Sequence, residues 1–166
     1  MNIQIDIENQ TLSVLEGDLL QHKYLISSGA NGVGEQNGSN CTPRGKHIVR
    51  AKIGVGAEPG TVFVARRPTG EQYSPALRRQ HPGRDWILTR ILWLSGTERG
   101  RNRLGTTDTM RRYIYIHGSP DDVEMGSPGS HGCIRMRNRD VIELFDRVEI
   151  GTQVEIVENR SELKCL

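Results

Sequence analysis

The chain has 166 residues, 35% of them apolar and 5% aromatic, with 19 Gly and 7 Pro. That suits one compact, turn-rich domain with a sheet-based core, and it excludes a membrane helix: no stretch approaches the roughly 20 apolar residues needed. Net charge is +2, but Arg66 to Arg139 holds 14 Arg and no Lys against 7 acids. Such a surface is matched to anionic ligands, because guanidinium pairs bidentately with carboxylate and phosphate; a merely solvated basic face is the alternative. With few aromatics and no recognised module, nucleic acid is not expected as a partner.

In chain order, Ile3, Ile5 and Ile7 alternate with polar residues, which is strand periodicity and not the basic-then-apolar order of an export signal. A cytoplasmic protein is therefore expected; an exported one that has lost its signal is the alternative. Strands are expected at Ile3–Ile7, Thr11–Glu16, Tyr24–Ser27, His47–Ile53, Val62–Ala65, Ile87–Trp93, Arg112–His117 and Gln153–Val157. Gly17-Asp18 and Thr42-Pro43-Arg44-Gly45 read as turns. Pro68 to Asp85, with three prolines, reads as an irregular excursion. One helix is expected, capped by Asn138, with Asp140 in its first turn. Val141, Ile142, Leu144, Phe145 and Val148 form its apolar stripe, and Gly151 stops it.

The chemistry concentrates between His117 and Cys133. His117 ends a strand, on the side of Tyr113 and Tyr115, and Gly118 follows. A thiol needs deprotonation to attack, and an imidazole can take its proton if a third group fixes the tautomer. No acid is compelling for that third group, since Asp121 and Asp122 lie in a loop; a backbone carbonyl can serve. Gly132 would let the backbone come close to substrate, and the Gly132 and Cys133 amides would face an oxyanion. Zinc is disfavoured because no second Cys lies near, and neither a metal nor a cofactor is expected. A buried, inert Cys133 remains open on spacing alone. His22, His47 and His81 read as surface or turn residues. Cys41 and Cys165 read as free thiols, with a 41–165 pair left open.

Ser130-His131-Gly132-Cys133, with His117-Gly118 sixteen residues upstream, resembles the signature of the L,D-transpeptidase catalytic (YkuD) domain. Arg112 to Gly118, Thr42-Pro43-Arg44-Gly45, Ser27-Ser28-Gly29, the Asn138–Asp140 helix start and Gly151–Val154 extend the likeness over residues 2–157. The resemblance implies a mainly β sandwich or barrel with one short α-helix near 138–149, as a single catalytic domain over 1–166 with a short C-terminal tail. It implies that Cys133 attacks the L-centre carbonyl of the diamino acid in a peptidoglycan stem tetrapeptide and expels D-Ala. His117 would be the base, the Gly118 carbonyl its orienter, and His131 would shape the site or steady the thiolate. Arg135, Ser130 and Gly132 would bind substrate, Arg135 through a carboxylate. The implied partners are stem peptides or soluble muropeptides, with carbapenems as acylating inhibitors.

The acyl acceptor is then the open question. Water makes a cytoplasmic L,D-carboxypeptidase of muropeptide recycling, the expectation here. An amine makes an exported L,D-transpeptidase that cross-links peptidoglycan or exchanges D-amino acids. An inactive stem-peptide binding module is the third possibility.

Overall fold

The computed structural model describes residues 1–158. Cys165, and with it any 41–165 pair, lies outside the described residues. Ten strands and two helices follow in the order β1 (Asn2–Asp6), β2 (Thr11–Glu16), β3 (Leu19–Leu25), β4 (Gly45–Ile53), β5 (Thr61–Val64), β6 (Arg67–Gln72), α1 (Pro75–Gln80), β7 (Ile87–Gly96), β8 (Tyr115–Ser119), β9 (Ile134–Arg137), α2 (Asn138–Arg147) and β10 (Gln153–Val157).

The strands form one curled sheet in the order β3-β2-β1-β10-β4-β7-β5-β6, and it forks at β7. β4 and β5 share one edge of β7, while β8 takes the other and pairs in parallel with β9. The fork depends on a register shift between Leu88 and Ile91, where Thr89 takes φ 74°. A bulge of this kind bends a strand and re-aims its ends.

Alternation decides which face is buried. Ile3 and Ile5 of β1, Leu12 and Val14 of β2, Ile116 of β8, and Ile134 and Met136 of β9 enter one apolar core. α2 closes that core with Val141, Leu144 and Phe145, and Val148 joins them. A stripe at i, i+3 and i+4 is what one helix face offers to a sheet. Ile142, expected in the stripe, is only half-buried and lines an outer cavity.

Three expectations change. Pro68–Asp85 is not irregular: β6 pairs with β5 in a hairpin, and α1 is capped by the Ser74 hydroxyl, which accepts from the Leu77 amide at 3.1 Å. β6 is an edge strand, where Pro68 is tolerated and no burial period is imposed. α1 carries no buried residue, so it leaves no apolar stripe to read. Asn138 is the first helical residue and not the cap, because the Thr89 hydroxyl donates to its side-chain oxygen at 2.5 Å. β8 starts at Tyr115, since Tyr113 adopts φ 57° in the preceding turn.

Candidate active site

The parallel register of β8 and β9 assembles the site. It sets Ile116 against Ile134 and His117 against Arg135. Side chains alternate, so Ile116, Ile134 and Met136 fill the core, while Tyr115, His117, Cys133 and Arg135 share the opposite face.

His117 is fully buried. Its Nδ1 lies 2.7 Å from the Gly118 carbonyl oxygen. A carbonyl only accepts, so Nδ1 carries the proton and Nε2 presents a lone pair. Nε2 is buried and has no hydrogen-bond partner among the described residues. Burial holds the imidazole below its ordinary pKa, so the ring is neutral at pH 7. Gly118 is dictated by packing: a Cβ there would come within 2.5 Å of Asn138 Oδ1 and 2.6 Å of the Leu88 carbonyl.

Cys133 is half-buried. Its thiol donates to the Tyr113 carbonyl at 3.4 Å, and Sγ accepts from the Tyr115 amide at 3.3 Å. Burial pushes the thiol up to about 12; the Tyr115 amide and the guanidiniums of Arg135 and Arg112 pull it down, while Asp85 pushes it further up. The resting pair is therefore a neutral thiol beside a neutral imidazole, not an ion pair. Among the described residues, no hydrogen bond links Sγ to His117 Nε2.

The turn carrying Cys133 is braced from behind. The Ser130 hydroxyl accepts from the Gly132 amide at 3.1 Å and donates to the Cys133 carbonyl. The Gly132 carbonyl accepts from the Thr42 hydroxyl at 2.9 Å, and that hydroxyl accepts from the Gly29 amide at 2.8 Å. Gly132 has φ 119°, and a Cβ there would meet the Cys41 carbonyl at 2.9 Å. Two expectations change accordingly. Ser130 is buried and spends its hydroxyl on the turn, so that group does not reach a substrate. Gly132 is required by φ and by the Cys41 backbone, and its amide is committed to Ser130 and not to an oxyanion.

His131 is exposed, with Nδ1 3.8 Å from Asp85 Oδ2; it lines the groove without bonding the thiol. Arg135 donates from Nη1 to the Gly129 carbonyl at 2.9 Å and from Nη2 to Asp85 Oδ1 at 3.2 Å. A groove of about 420 Å³ lies over Cys133, lined by Arg66, Asp85, Arg112, Tyr113, Tyr115 and His131 among others. Arg66 donates to the Tyr115 hydroxyl at 2.9 Å and stacks 4.8 Å from both the Trp93 and Tyr113 rings. Arg112 is a strut, donating to the carbonyls of Gly34, Glu35 and Cys41.

Sequence reasoning missed Asp85, Arg66 and the bracing role of Thr42. Asp85 and Arg66 stand in an Arg-rich stretch with no local pattern, and only the fold brings them to Cys133. His47, expected at the surface or in a turn, is buried between the Gly45 carbonyl and the Thr109 hydroxyl. Among the described residues, no three His, Cys, Asp or Glu side chains gather as a metal site would need.

A family model described as YkuD, L,D-transpeptidase catalytic domain, matches residues 2–156. The probable L,D-transpeptidase ErfK/SrfK of Salmonella typhimurium is 31% identical over 129 residues, 70% of this chain and 40% of that protein. The chain thus spans well under half of that relative. A cysteine-to-serine mutant of Enterococcus faecium L,D-transpeptidase superposes with a TM-score of 0.56 at 22% identity, covering 94% of this chain and 49% of that one. The L,D-transpeptidase LdtMt1 in complex with imipenem gives 0.54 at 20% identity, covering 93% and 57%. At these identities the structural likeness speaks for the fold.

Proposed function

The chain belongs to the L,D-transpeptidase catalytic (YkuD) domain family, and from that premise we propose that Cys133 cleaves the diamino acid–D-Ala bond of peptidoglycan stem tetrapeptides. One observation carries the reading: His117 has Nδ1–H tied to the Gly118 carbonyl and a buried, unpartnered Nε2 on the strand face that also presents Cys133. Substrate entry completes the site. The thiol proton passes to Nε2 as Sγ bonds to the L-centre carbonyl carbon. The imidazolium then protonates the departing D-Ala amine as the C–N bond breaks, leaving a thioester on Cys133. Arg135 takes a substrate carboxylate and His131 shapes the rim.

Water is the proposed acceptor. The groove is bounded by the Arg66–Tyr113 stack and by Asp85, and its volume of about 420 Å³ suits the reacting end of one stem better than two. Neutral His117 would activate the water, and the product is a tripeptide. This L,D-carboxypeptidase role goes with soluble muropeptides recycled in the cytoplasm. Cell fractionation tests the location; recovery outside the cytoplasm would refute it. The second reading, an amine acceptor and cross-linking, is favoured by relatives such as the ErfK/SrfK protein being named probable L,D-transpeptidases.

The two separate on incubation with a purified tetrapeptide muropeptide and excess D-Met. Tripeptide as the main product supports hydrolysis; a D-Met exchange product in its place sinks it. Cys133→Ala should abolish D-Ala release while keeping the fold, and unchanged release would remove Cys133 from the mechanism. Since one structural relative binds imipenem, a carbapenem should add its mass to the wild type and not to Cys133→Ala.

A further inference from the structure

The bulge in β7 falls at one particular place on β8. Leu88 pairs with Gly118 and Ile91 with His117, so Thr89 and Arg90 are extra residues set against the peptide that links His117 to Gly118. Bulges beside active sites re-aim the groups around them. Thr89 is fully buried and takes φ 74°. A β-branched residue in the left-handed region is an outlier that its surroundings must hold in place.

Thr89 is held at both ends. Its hydroxyl accepts from the Gly60 amide at 2.9 Å and donates to Asn138 Oδ1 at 2.5 Å. Its carbonyl accepts from Arg90 Nη1 at 2.7 Å, and the same nitrogen donates to the Ala57 carbonyl at 2.7 Å. Asn138 Nδ2 donates to Asp121 Oδ1 at 3.4 Å, which keeps the amide oxygen turned toward Thr89. A bulge that served only to fork the sheet would need no hydroxyl, and glycine would take φ 74° without strain. Threonine at this position spends strain on aiming a hydroxyl at Asn138.

The chain of contacts ends on Gly118. A Cβ there would come within 2.5 Å of Asn138 Oδ1 and 3.1 Å of Thr89 Cβ, so both groups already press on the Gly118 Cα. Glycine turns its peptide easily unless packing prevents it. Its carbonyl is the acceptor 2.7 Å from His117 Nδ1. The His117 tautomer rests on that carbonyl, because the ring is buried and Nε2 has no partner among the described residues. If the peptide turned, Nδ1 would lose its acceptor and the proton would distribute over both nitrogens. The Nε2–H form cannot take a thiol proton.

Resting on the acyl-transfer reading above, we propose that Thr89 is a positioning residue for His117: through Asn138 and Gly118 it fixes the carbonyl that keeps the imidazole in the Nδ1–H tautomer, the form able to accept the Cys133 proton. Thr89 does not line the groove over Cys133, so it acts on the proton transfer and not on substrate binding.

The test reads the tautomer directly. Thr89→Val keeps the branched shape and strips the hydroxyl. Asn138→Ala, at the half-buried first residue of α2, removes the acceptor of that hydroxyl. Each full-length protein is labelled with heavy-nitrogen histidine, and the His117 ring signals are assigned by their loss in His117→Gln. Long-range proton–nitrogen correlation then shows which ring nitrogen carries the proton. The wild type should show Nδ1–H alone, and both variants a mixture with Nε2–H. In both variants kcat for D-Ala release should fall about ten- to hundredfold with KM unchanged. Thr89→Ser, which keeps the hydroxyl, should restore tautomer and rate together. Nδ1–H alone in the variants, a mixture already present in the wild type, or a loss that Thr89→Ser does not repair would each overturn the proposal. Asn138→Ala decides the matter even if Thr89→Val folds poorly. Tautomer mixing in the variants without D-Ala release by the wild type refutes the acyl-transfer reading and leaves the positioning role standing; release by the wild type with the tautomer unmoved in the variants does the reverse.

Discussion

A thiol pushed up to about 12 and an imidazole held below its usual value describe a nucleophile stored in its unreactive form. Desolvation is the leading cause in both, and it disfavours charge on either group. Alkylation of Cys133 by iodoacetamide at pH 7 should therefore be slower than that of a free cysteine, by up to roughly a thousandfold. The rate should climb through pH 10 without a plateau. A plateau between pH 6 and 7 would instead reveal a preformed thiolate–imidazolium pair and overturn the neutral resting state. Gly118 makes a second prediction at this scale. Gly118→Ala drives a methyl against Asn138 and the Leu88 carbonyl, which should cost about 1–3 kcal/mol of stability. It should also slow carbapenem acylation, because the carbonyl that orients His117 must move. Denaturant unfolding and intact-mass kinetics read the two effects separately.

At the scale of elements, the reactive turn hangs between β8 and β9 and is braced by segments far away in the chain. Thr42 joins the Gly29 amide to the Gly132 carbonyl, and Ser27 exchanges both backbone hydrogen bonds with Arg135. Thr42→Val keeps the shape but strips both bonds, leaving a buried donor and a buried acceptor unmet at a cost of about 1–3 kcal/mol each. Acylation of Cys133 should fall by about tenfold or more, since small displacements of reacting groups are expensive. An unchanged acylation rate would mean that the turn holds its form without the Thr42 bridge. Ser27, Gly29 and Thr42 of the Ser27-Ser28-Gly29 and Thr42-Pro43-Arg44-Gly45 motifs thus form the backing of the turn that carries Cys133.

For the whole molecule, His47 couples stability to pH. Burial lowers its folded pKa to about 4 from an ordinary value of 6.5. The unfolded chain therefore takes up a proton first as pH falls. Stability is full above about pH 6.5, declines toward pH 4, and the loss from this group then levels off, at on the order of 3 kcal/mol. His47→Gln should flatten that part of the profile in urea unfolding; an unaltered slope would place the titration elsewhere. The basic character of the chain also looks different in three dimensions. Arg66, Arg78, Arg84, Arg112 and Arg135 are all engaged by acids, rings or carbonyls. Arg78, Arg84 and Arg135 are neutralised by acids, while Arg66 and Arg112 are held by rings, a hydroxyl and carbonyls and keep the groove wall basic.

Strand periodicity, the apolar stripe of α2 and the His117-Gly118 to Cys133 spacing were legible in the sequence, because each is a local repeat or a short motif. The mainly β fold and the family followed from them. β6 and α1 were not legible, since an edge strand and an exposed helix bury nothing that would impose a period. Asp85, Arg66 and the committed states of Ser130 and Gly132 belonged to the tertiary structure alone. The sequence by itself determined which residues could do thiol chemistry and that His117 ends a strand; β9, which follows Cys133, was not among the expected strands. Only the fold decided which groups surround them, because the parallel register of β8 and β9 and the fork at β7 unite residues separated by tens of positions. The solvation and charge around Cys133 are set by that union.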